Sequence, residues 1–450
     1  MYINQVTAKT NIAIIGAGLV GSLLSIYLAR RGYNVSVFER RIDARKMQAD
    51  EGRSINLALS TRGIRALEEV GLASEVRSMA IPMHGRMMHD QAGKLSFLPY
   101  GKTGQYINSI SRGGLNRLLI DKAEEHGVMF HFQHRCTSVD LQNTGAVFET
   151  QGGKSIARRF DVIAGADGVF SAVRSAMQVT ERFNYSQSWL EHGYKELEIP
   201  ARANGDFALE KNALHIWPRE SFMMIALPNP GGSFTCTLFF PFEGKPSFSS
   251  LMGDDKIAEF FKEVFPDAFV KMPGLVEDYN SNPTSSLVTI RCYPWMLNHT
   301  FLIGDAAHGI VPFYGQGMNA AFEDCRILNE LLDECADEWK TALHRFQTLR
   351  KEDADAIAQL AFDNFLEMRD LVADPEFLLR KKIEARLHEL YPDKWIPLYS
   401  MVTFHDNIRY SDAYRTGKKQ ATIMDEVMAT PGIASEWGKL DFGQIVGRLS

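Results

Sequence analysis

Long apolar runs are missing from this sequence. No stretch of its 450 residues approaches the ~18 uncharged apolar residues that a membrane-crossing helix requires. The apolar run at 11–16 is too short for the core of a secretory signal, and no small-residue cleavage site follows it. A soluble, cytoplasmic chain is therefore expected. Cysteine is scarce as well: Cys136, Cys236, Cys292, Cys325 and Cys335 are scattered, odd in number and contain no CxxC pair. That pattern argues against a disulfide framework and a zinc site, and suits buried thiols in a reducing compartment. Excess positive charge is also absent. With 49 Lys and Arg against 55 Asp and Glu, the net charge of −6 offers no field for a phosphate backbone, so nucleic acid is not an expected partner. Repeats and low-complexity tracts are lacking too. His308 has no metal-ligand partner at suitable spacing, and His131 and His134, three apart in a β-prone stretch, are expected on opposite faces; no metal is expected.

What is present is the composition of a folded protein, 45% hydrophobic and 23% charged, on a chain too long for one simple core. The first 45 residues read strand, Gly-rich turn, helix, strand. Ile12, Ala13, Ile14 and Ile15 form the continuous apolar run of a strand buried on both faces of a parallel sheet. A helix is predicted from about Ala17 to Arg31, stopping at Gly32, and Val35 to Phe38 give the second strand. Between 190 and 300, short β-prone runs at 213–218, 222–228 and 233–241 are punctuated by Pro and Gly-Gly, which predicts antiparallel sheet. From about Asn319 the pattern is helical, with few turn signals until Pro375. The expected class is α/β with α+β lobes: a Rossmann-like dinucleotide-binding domain at 1–189 and 301–345, an inserted antiparallel β-sheet substrate domain at 190–300, and a helical C-terminal cap at 346–450.

Gly16-Ala-Gly18-Leu-Val-Gly21 lies between the predicted strand and helix. Gly16 permits the tight turn, Gly18 lets a pyrophosphate approach the backbone, and Gly21 lets helix and strand pack closely. The helix start then offers unpaired N–H groups and a positive dipole end to phosphates. Glu39 closes the second strand 18 residues after Gly21, where a carboxylate accepts both hydroxyls of an unphosphorylated ribose. A bare GxGxxG is weak evidence, but in register with strand, helix and acid it points to FAD or NAD.

Two further segments are strands running into glycine turns. Asp161-Val-Ile-Ala-Gly-Ala-Asp167-Gly168 is followed by Ser171 and Arg174. Phe301-Leu-Ile-Gly304-Asp305-Ala-Ala-His308 runs on to Pro312-Phe-Tyr-Gly315-Gln-Gly317-Met-Asn319. In order, the three segments resemble the fingerprints of the single-component FAD-dependent aromatic hydroxylases. The resemblance implies FAD, tightly but not covalently bound, with Asp305 on a ribityl hydroxyl. It places the Gly317, Met318 and Asn319 helix start against the pyrimidine end of the flavin, where reduced flavin carries negative charge. It assigns Val20, Arg40, Arg41, Ala58, Arg112 and Asp167 to the same site. The family has no separate nicotinamide domain, so NADPH is implied as a transient co-substrate and O2 as the oxidant, acting through a flavin hydroperoxide.

Segments outside the flavin motifs resemble the kynurenine-hydroxylating branch of that family over about residues 10 to 410. They include Gly52-Arg-Ser-Ile-Asn-Leu-Ala-Leu-Ser60, Pro82-Met-His-Gly-Arg86-Met-Met-His89, Tyr100-Gly, Leu214-His-Ile-Trp-Pro218, Asn364-Phe-Leu-Glu-Met-Arg369 and Ile396-Pro-Leu-Tyr399. Animal members continue into a hydrophobic anchor; this chain ends in a short polar run, which suggests a soluble microbial form. The resemblance implies L-kynurenine as substrate, with its carboxylate held by Arg86, Tyr100, Asn364 and Tyr399, since an arginine forks onto a carboxylate and phenol and amide groups add hydrogen bonds. No catalytic side chain is implied: the aniline nitrogen already activates the ring, and the protein has to keep water from the oxidant. Period-two patterning puts Ile225 and Leu227 on one strand face and Thr237 and Phe239 on the next, with Leu214, Pro312 and Phe313 completing the chamber. Another aromatic acid is the second reading. Halogenation lacks its WxWxIP motif, the nearest stretch being Tyr293-Pro-Trp295-Met-Leu. A flavin-binding protein without turnover is the third reading, and a homodimer is compatible with all of them.

Overall fold

A computed structural model describes residues 9–46, 56–102, 104–370 and 374–449, without the side chains of 368–370. The chain opens with β1 (Asn11–Ile15), α1 (Leu19–Arg30) and β2 (Asn34–Glu39), then β3 (Asn56–Leu59), α2 (Thr61–Glu69) and α3 (Ala73–Met79). Four strands follow, β4 (Ile81–Met83), β5 (Gly85–His89), β6 (Leu95–Pro99) and β7 (Ile107–Ser111), and then α4 (Arg112–Glu125). β8 (Met129–Phe132), β9 (His134–Asp140), β10 (Gly145–Thr150), β11 (Ser155–Arg159) and β12 (Val162–Gly165) precede α5 (Ala172–Gln178). β13 (Asn184–Ile199), β14 (Ala213–Arg219), β15 (Phe222–Pro228) and β16 (Phe234–Pro241) lead to α6 (Asp254–Val264), α7 (Pro266–Phe269) and α8 (Leu275–Ser281). After β17 (Ser285–Tyr293), β18 (Met296–Leu297) and β19 (Thr300–Leu302) come α9 (Asp305–His308), α10 (Gly317–Glu334), α11 (Trp339–Asp370), α12 (Pro375–Leu390), α13 (Leu398–Phe404) and α14 (Tyr410–Met428).

The first sheet has the order β18-β19-β12-β1-β2-β8, parallel except for the β18 edge. β1 lies between β12 and β2, so its four apolar residues are buried on both faces, as a central parallel strand requires. α1 ends as expected, with Arg31 as C-cap and Gly32 at φ +88° just beyond it.

The second sheet has the order β17-β13-β16-β15-β14-β5-β6. Its two faces are buried differently. Trp217, Met224, Ala226, Cys236, Leu238 and Phe240 face the α6–α8 layer in one core. Ile216, Met223 and Phe239 share another core with the 312–314 turn, α11, α13 and α14. Strand alternation thus separates a structural back from a front that receives the C-terminal helices. The back is pinned by polar groups. His89 Nδ1 lies 2.6 Å from Asp267, the Trp217 indole donates to the same carboxylate at 3.0 Å, and His89 Nε2 lies 2.8 Å from His215 Nδ1. Burial pushes the His215 pKa down to about 4.

Three features differ from the sequence-based expectations. β5 and β6 join the second sheet from residues 85–99, β5 running parallel to β14, a pairing across more than a hundred residues that no local pattern encodes. His131 and His134 do not point to opposite faces. Gln133, at φ +58°, divides them between β8 and β9, and their rings lie 5.5 Å apart against Phe38. Pro375 does mark a helix boundary, as the start of α12 capped by Asp374, but an earlier break that no Gly or Pro signals falls where Ala336 and Asp337 take positive φ. The five cysteines are free thiols, four of them buried. Among the described residues no helix is long and apolar enough to cross a membrane.

Candidate active site

At the start of α1 the three glycines divide by cause. A Cβ on Gly16, which has φ +105°, would lie 2.5 Å from the Ala166 carbonyl oxygen, and one on Gly21 would lie 1.9 Å from the Gly16 carbonyl oxygen. Protein packing alone demands those two. A Cβ on Gly18 would meet nothing within 4 Å. Gly18 is exposed, and the space in front of it lies over the helix N-terminus, the geometry that admits a pyrophosphate. The Glu39 carboxylate comes to the same turn, accepting from the Ala17 N–H at 3.0 Å and the Arg41 N–H at 2.9 Å. Arg40 and Arg41 are exposed beside it. Val20 faces Gly304, where a Cβ would lie 3.1 Å from its methyl carbon.

Asp305 is half-buried at the start of α9, and no donor among the described residues hydrogen-bonds its carboxylate. Burial raises its pKa, opposed by Arg112 and His308. A half-buried carboxylate without donors is the chemistry that a ribityl chain, rich in hydroxyls, would satisfy. Asp167 is occupied differently. One oxygen accepts from the Ala172 N–H at 2.7 Å at the start of α5, while the other is buried without a partner. The Asn319 side chain is also committed, accepting from the Ser60 N–H at 2.9 Å and donating to the Ala58 and Gly315 carbonyls at 2.8 Å each. Gly317 and Met318 are half-buried, and the first-turn amides of α10, not the Asn319 side chain, are what that end offers a ring. These residues fit an FAD. Asn116, which donates to the Ala17 carbonyl at 3.1 Å, is a clamp on the glycine turn that no sequence pattern indicates.

Arg86 on β5 sits beside Leu214 of β14 in parallel register. Its guanidinium carbon lies 4.8 Å from the Tyr399 ring centre and 5.5 Å from that of Tyr100. The two rings stack at 5.4 Å, and Tyr314 stacks on Tyr399 at 5.5 Å. Burial works against the Arg86 charge, but Tyr399, Tyr100 and Glu367 outweigh it and raise its pKa. Among the described residues no carboxylate lies within ion-pair distance of this guanidinium, and the Tyr100 hydroxyl, close to Arg86 and Tyr399, makes no hydrogen bond of good geometry. A half-buried cation without an ion-pair partner in contact and a buried hydroxyl without a good acceptor are both relieved by an incoming carboxylate. Asn364, 9% exposed on α11, donates to the Phe313 carbonyl at 2.7 Å and so holds the 312–314 turn.

Leu214, Ile225 and Leu227 pack with Tyr100 and Tyr399 in one apolar cluster that also touches Ala58. Thr237 lies opposite Ile225 in the β15–β16 register. Phe239 meets Phe313 at 4.9 Å and Phe313 meets Phe365 at 4.5 Å. Pro312 stands apart, exposed at the start of its turn. Tyr314 was absent from the expected set although it lies inside the quoted 312–319 segment, because a 3-10 turn obeys no strand period. Gly52 to Ile55 of the matched 52–60 segment, and the Arg369 side chain, lie outside the described residues.

An open parallel sheet with a glycine turn, an acid on the second strand and a donor-free aspartate defines a flavin-binding protein. Accordingly, a family model described as FAD binding domain matches residues 9–361. Kynurenine 3-monooxygenases are similar over almost the whole chain. That of Cytophaga hutchinsonii is 51% identical over 433 residues, covering 95% of this chain and 96% of the relative. That of Christiangramia forsetii is 49% identical over 432 residues, with the same coverage, and that of Anopheles gambiae is 43% identical over 431 residues, covering 94% and 88%. The chain belongs to the kynurenine 3-monooxygenase family. The fold is shared with a tetrameric 2-methyl-3-hydroxypyridine-5-carboxylic acid oxygenase, with a TM-score of 0.67, 21% identity, and coverage of 82% and 95%. It is shared also with Pseudomonas aeruginosa PqsL, with a TM-score of 0.64, 20% identity, and coverage of 80% and 97%.

Proposed function

We propose that the chain hydroxylates L-kynurenine to 3-hydroxy-L-kynurenine, consuming NADPH and O2, with FAD as its resident cofactor. The observation that carries this reading is the Arg86 guanidinium, without a carboxylate partner and stacked on two tyrosines at one end of an apolar chamber. Arg86 forks onto the substrate carboxylate, the Tyr100 hydroxyl beside it supplies a hydrogen bond, and Tyr399 flanks the pair. Asn364 acts at the same end by holding the 312–314 turn through the Phe313 carbonyl. Leu214, Ile225, Leu227, Thr237, Phe239 and Phe313 then wall the aromatic ring and keep water out.

When bound, FAD supplies the activated oxygen. Gly18 and the α1 start would hold its pyrophosphate in the turn that Gly16 and Gly21 shape, Glu39 would hold the adenosine ribose, Asp305 the ribityl chain and the α10 amides the ring. The substrate brings its own electron-donating amino group, so its ring needs no protein base. In this reading 1–189 and 301–345 carry FAD, 190–300 supply most of the chamber, and 346–450 close it. Cytoplasmic placement and, at most, a second copy of the chain as macromolecular partner complete it.

The test is direct. The purified protein should show flavin absorbance, and L-kynurenine should strongly stimulate NADPH oxidation with 3-hydroxy-L-kynurenine as product. Stimulation only by a phenolic acid would replace the substrate assignment, and no stimulation by any aromatic acid would remove the catalytic one.

A further inference from the structure

Arg62 lies on α2 and is 1% exposed. Its guanidinium spans two regions of the chain. Nε donates to the Val402 carbonyl at 3.1 Å, and Nη2 donates to the carbonyls of His405, at 3.1 Å, and Ile408. Nη1 pairs with Glu323 of α10 at 2.6 Å. The guanidinium also lies 4.0 Å from the Tyr410 ring centre, and the Tyr410 hydroxyl donates to Gln316, the residue that precedes α10, at 2.8 Å. Behind it, Arg350 joins Glu323, Asp324 and Asp353 at 2.8, 2.7 and 3.1 Å.

The physical need is clear from α13. It has only seven residues, so most of its carbonyls find no helical partner, and a buried carbonyl without a donor is unfavourable. The planar fork of Arg62 supplies donors to three carbonyls of the α13–α14 segment at once and keeps one nitrogen for Glu323. A lysine offers a single nitrogen and cannot span that arrangement. Tyr399, which flanks Arg86, sits on α13 three residues before Val402. The α10 start faces the flavin site.

We infer that Arg62 is a positioning residue that locks α13, and with it Tyr399, to α10, so that the substrate-side tyrosine and the flavin-side helix start keep one fixed relation. The inference rests on the kynurenine reading only for the identity of the substrate.

The test uses the FAD-loaded enzyme carrying Arg62→Lys, which keeps a cation beside Glu323. Amide hydrogen exchange over residues 398–410 should become at least about tenfold faster, the effect of losing roughly one charge-assisted hydrogen bond, while exchange in β1 stays as in the wild type. The KM for L-kynurenine should rise about tenfold or more, with kcat changed less and a larger share of NADPH consumed as H2O2. Phe261→Leu, in the core behind the second sheet, should lower Tm without moving KM or that exchange. Unchanged exchange at 398–410, unchanged KM despite faster exchange, or loss of bound FAD in Arg62→Lys would each overturn the inference. If the wild type ignores L-kynurenine, the substrate assignment fails, while the exchange comparison still decides whether the lock exists.

Discussion

Arg86→Met separates binding from folding, because the two effects differ in size. In the ligand-free protein the Arg86 side chain is half-buried, lacks a carboxylate partner among the described residues and gains mainly from two tyrosine faces at 4.8 and 5.5 Å. Each such contact contributes about 0.5–1 kcal/mol, and desolvation of the guanidinium offsets most of that gain. An apolar side chain of similar length therefore leaves the empty protein within about 1 kcal/mol of the wild type. Substrate binding loses a charge-assisted, forked contact of about 2–4 kcal/mol, so the KM for L-kynurenine should rise about 30- to 1000-fold with FAD retained. Kynuramine, which lacks the carboxylate, should bind the wild type and Arg86→Met about equally weakly. The assay is NADPH oxidation with both compounds, beside a thermal melt of each protein. Equal losses for kynurenine and kynuramine would refute the carboxylate role, and loss of flavin would move Arg86 to the cofactor site.

Other outcomes follow from single contacts. Tyr100→Phe should leave the melt nearly unchanged, because among the described residues the hydroxyl makes no hydrogen bond of good geometry, yet raise the KM for L-kynurenine by about 10-fold or more, the worth of a hydrogen bond to a charged group. Gly18→Ala should fold and melt as the wild-type apoprotein but bind FAD more weakly, whereas Gly21→Ala should not fold normally, since its Cβ would lie 1.9 Å from a backbone oxygen. His215 has a folded pKa near 4 against an ordinary 6.5, so the unfolded chain binds more protons between those values. Stability from that site is full above pH ~6.5 and is lost as pH falls towards 4, by on the order of 3 kcal/mol, and His215→Gln should flatten the acid side of a Tm-against-pH curve. Lowering of the Asp267 pKa by His89 and Trp217, against the opposing effect of burial, acts in the same direction at lower pH.

What could be read in advance was local. Gly16, Gly18 and Gly21 sit within six residues, and their strand and helix boundaries fell within about two residues of the observed ones. The apolar β1 run and the alternation of β14 to β16 were equally plain, because burial on two faces or one face writes itself into successive residues. The meeting of Arg86, Tyr100 and Tyr399 spans 300 residues of chain and has no periodic signature; only the family resemblance suggested it. Arg62 illustrates the limit most sharply. Its four acceptors lie 261 to 346 residues away, and nothing near it in sequence distinguishes it from an exposed helix arginine. His131 and His134 failed for a smaller reason: one residue with positive φ turns a single strand into two.

The central claim concerns where the amino-acid tail of the substrate goes, and a crystal structure of the FAD-loaded enzyme with L-kynurenine tests it most directly. The expected density places the carboxylate on the Arg86 guanidinium within hydrogen-bond distance of the Tyr100 hydroxyl, with the aniline ring among Leu214, Ile225 and Phe239 and its C3 turned towards the flavin. A carboxylate bound elsewhere, with Arg86 directed into solvent, would contradict it.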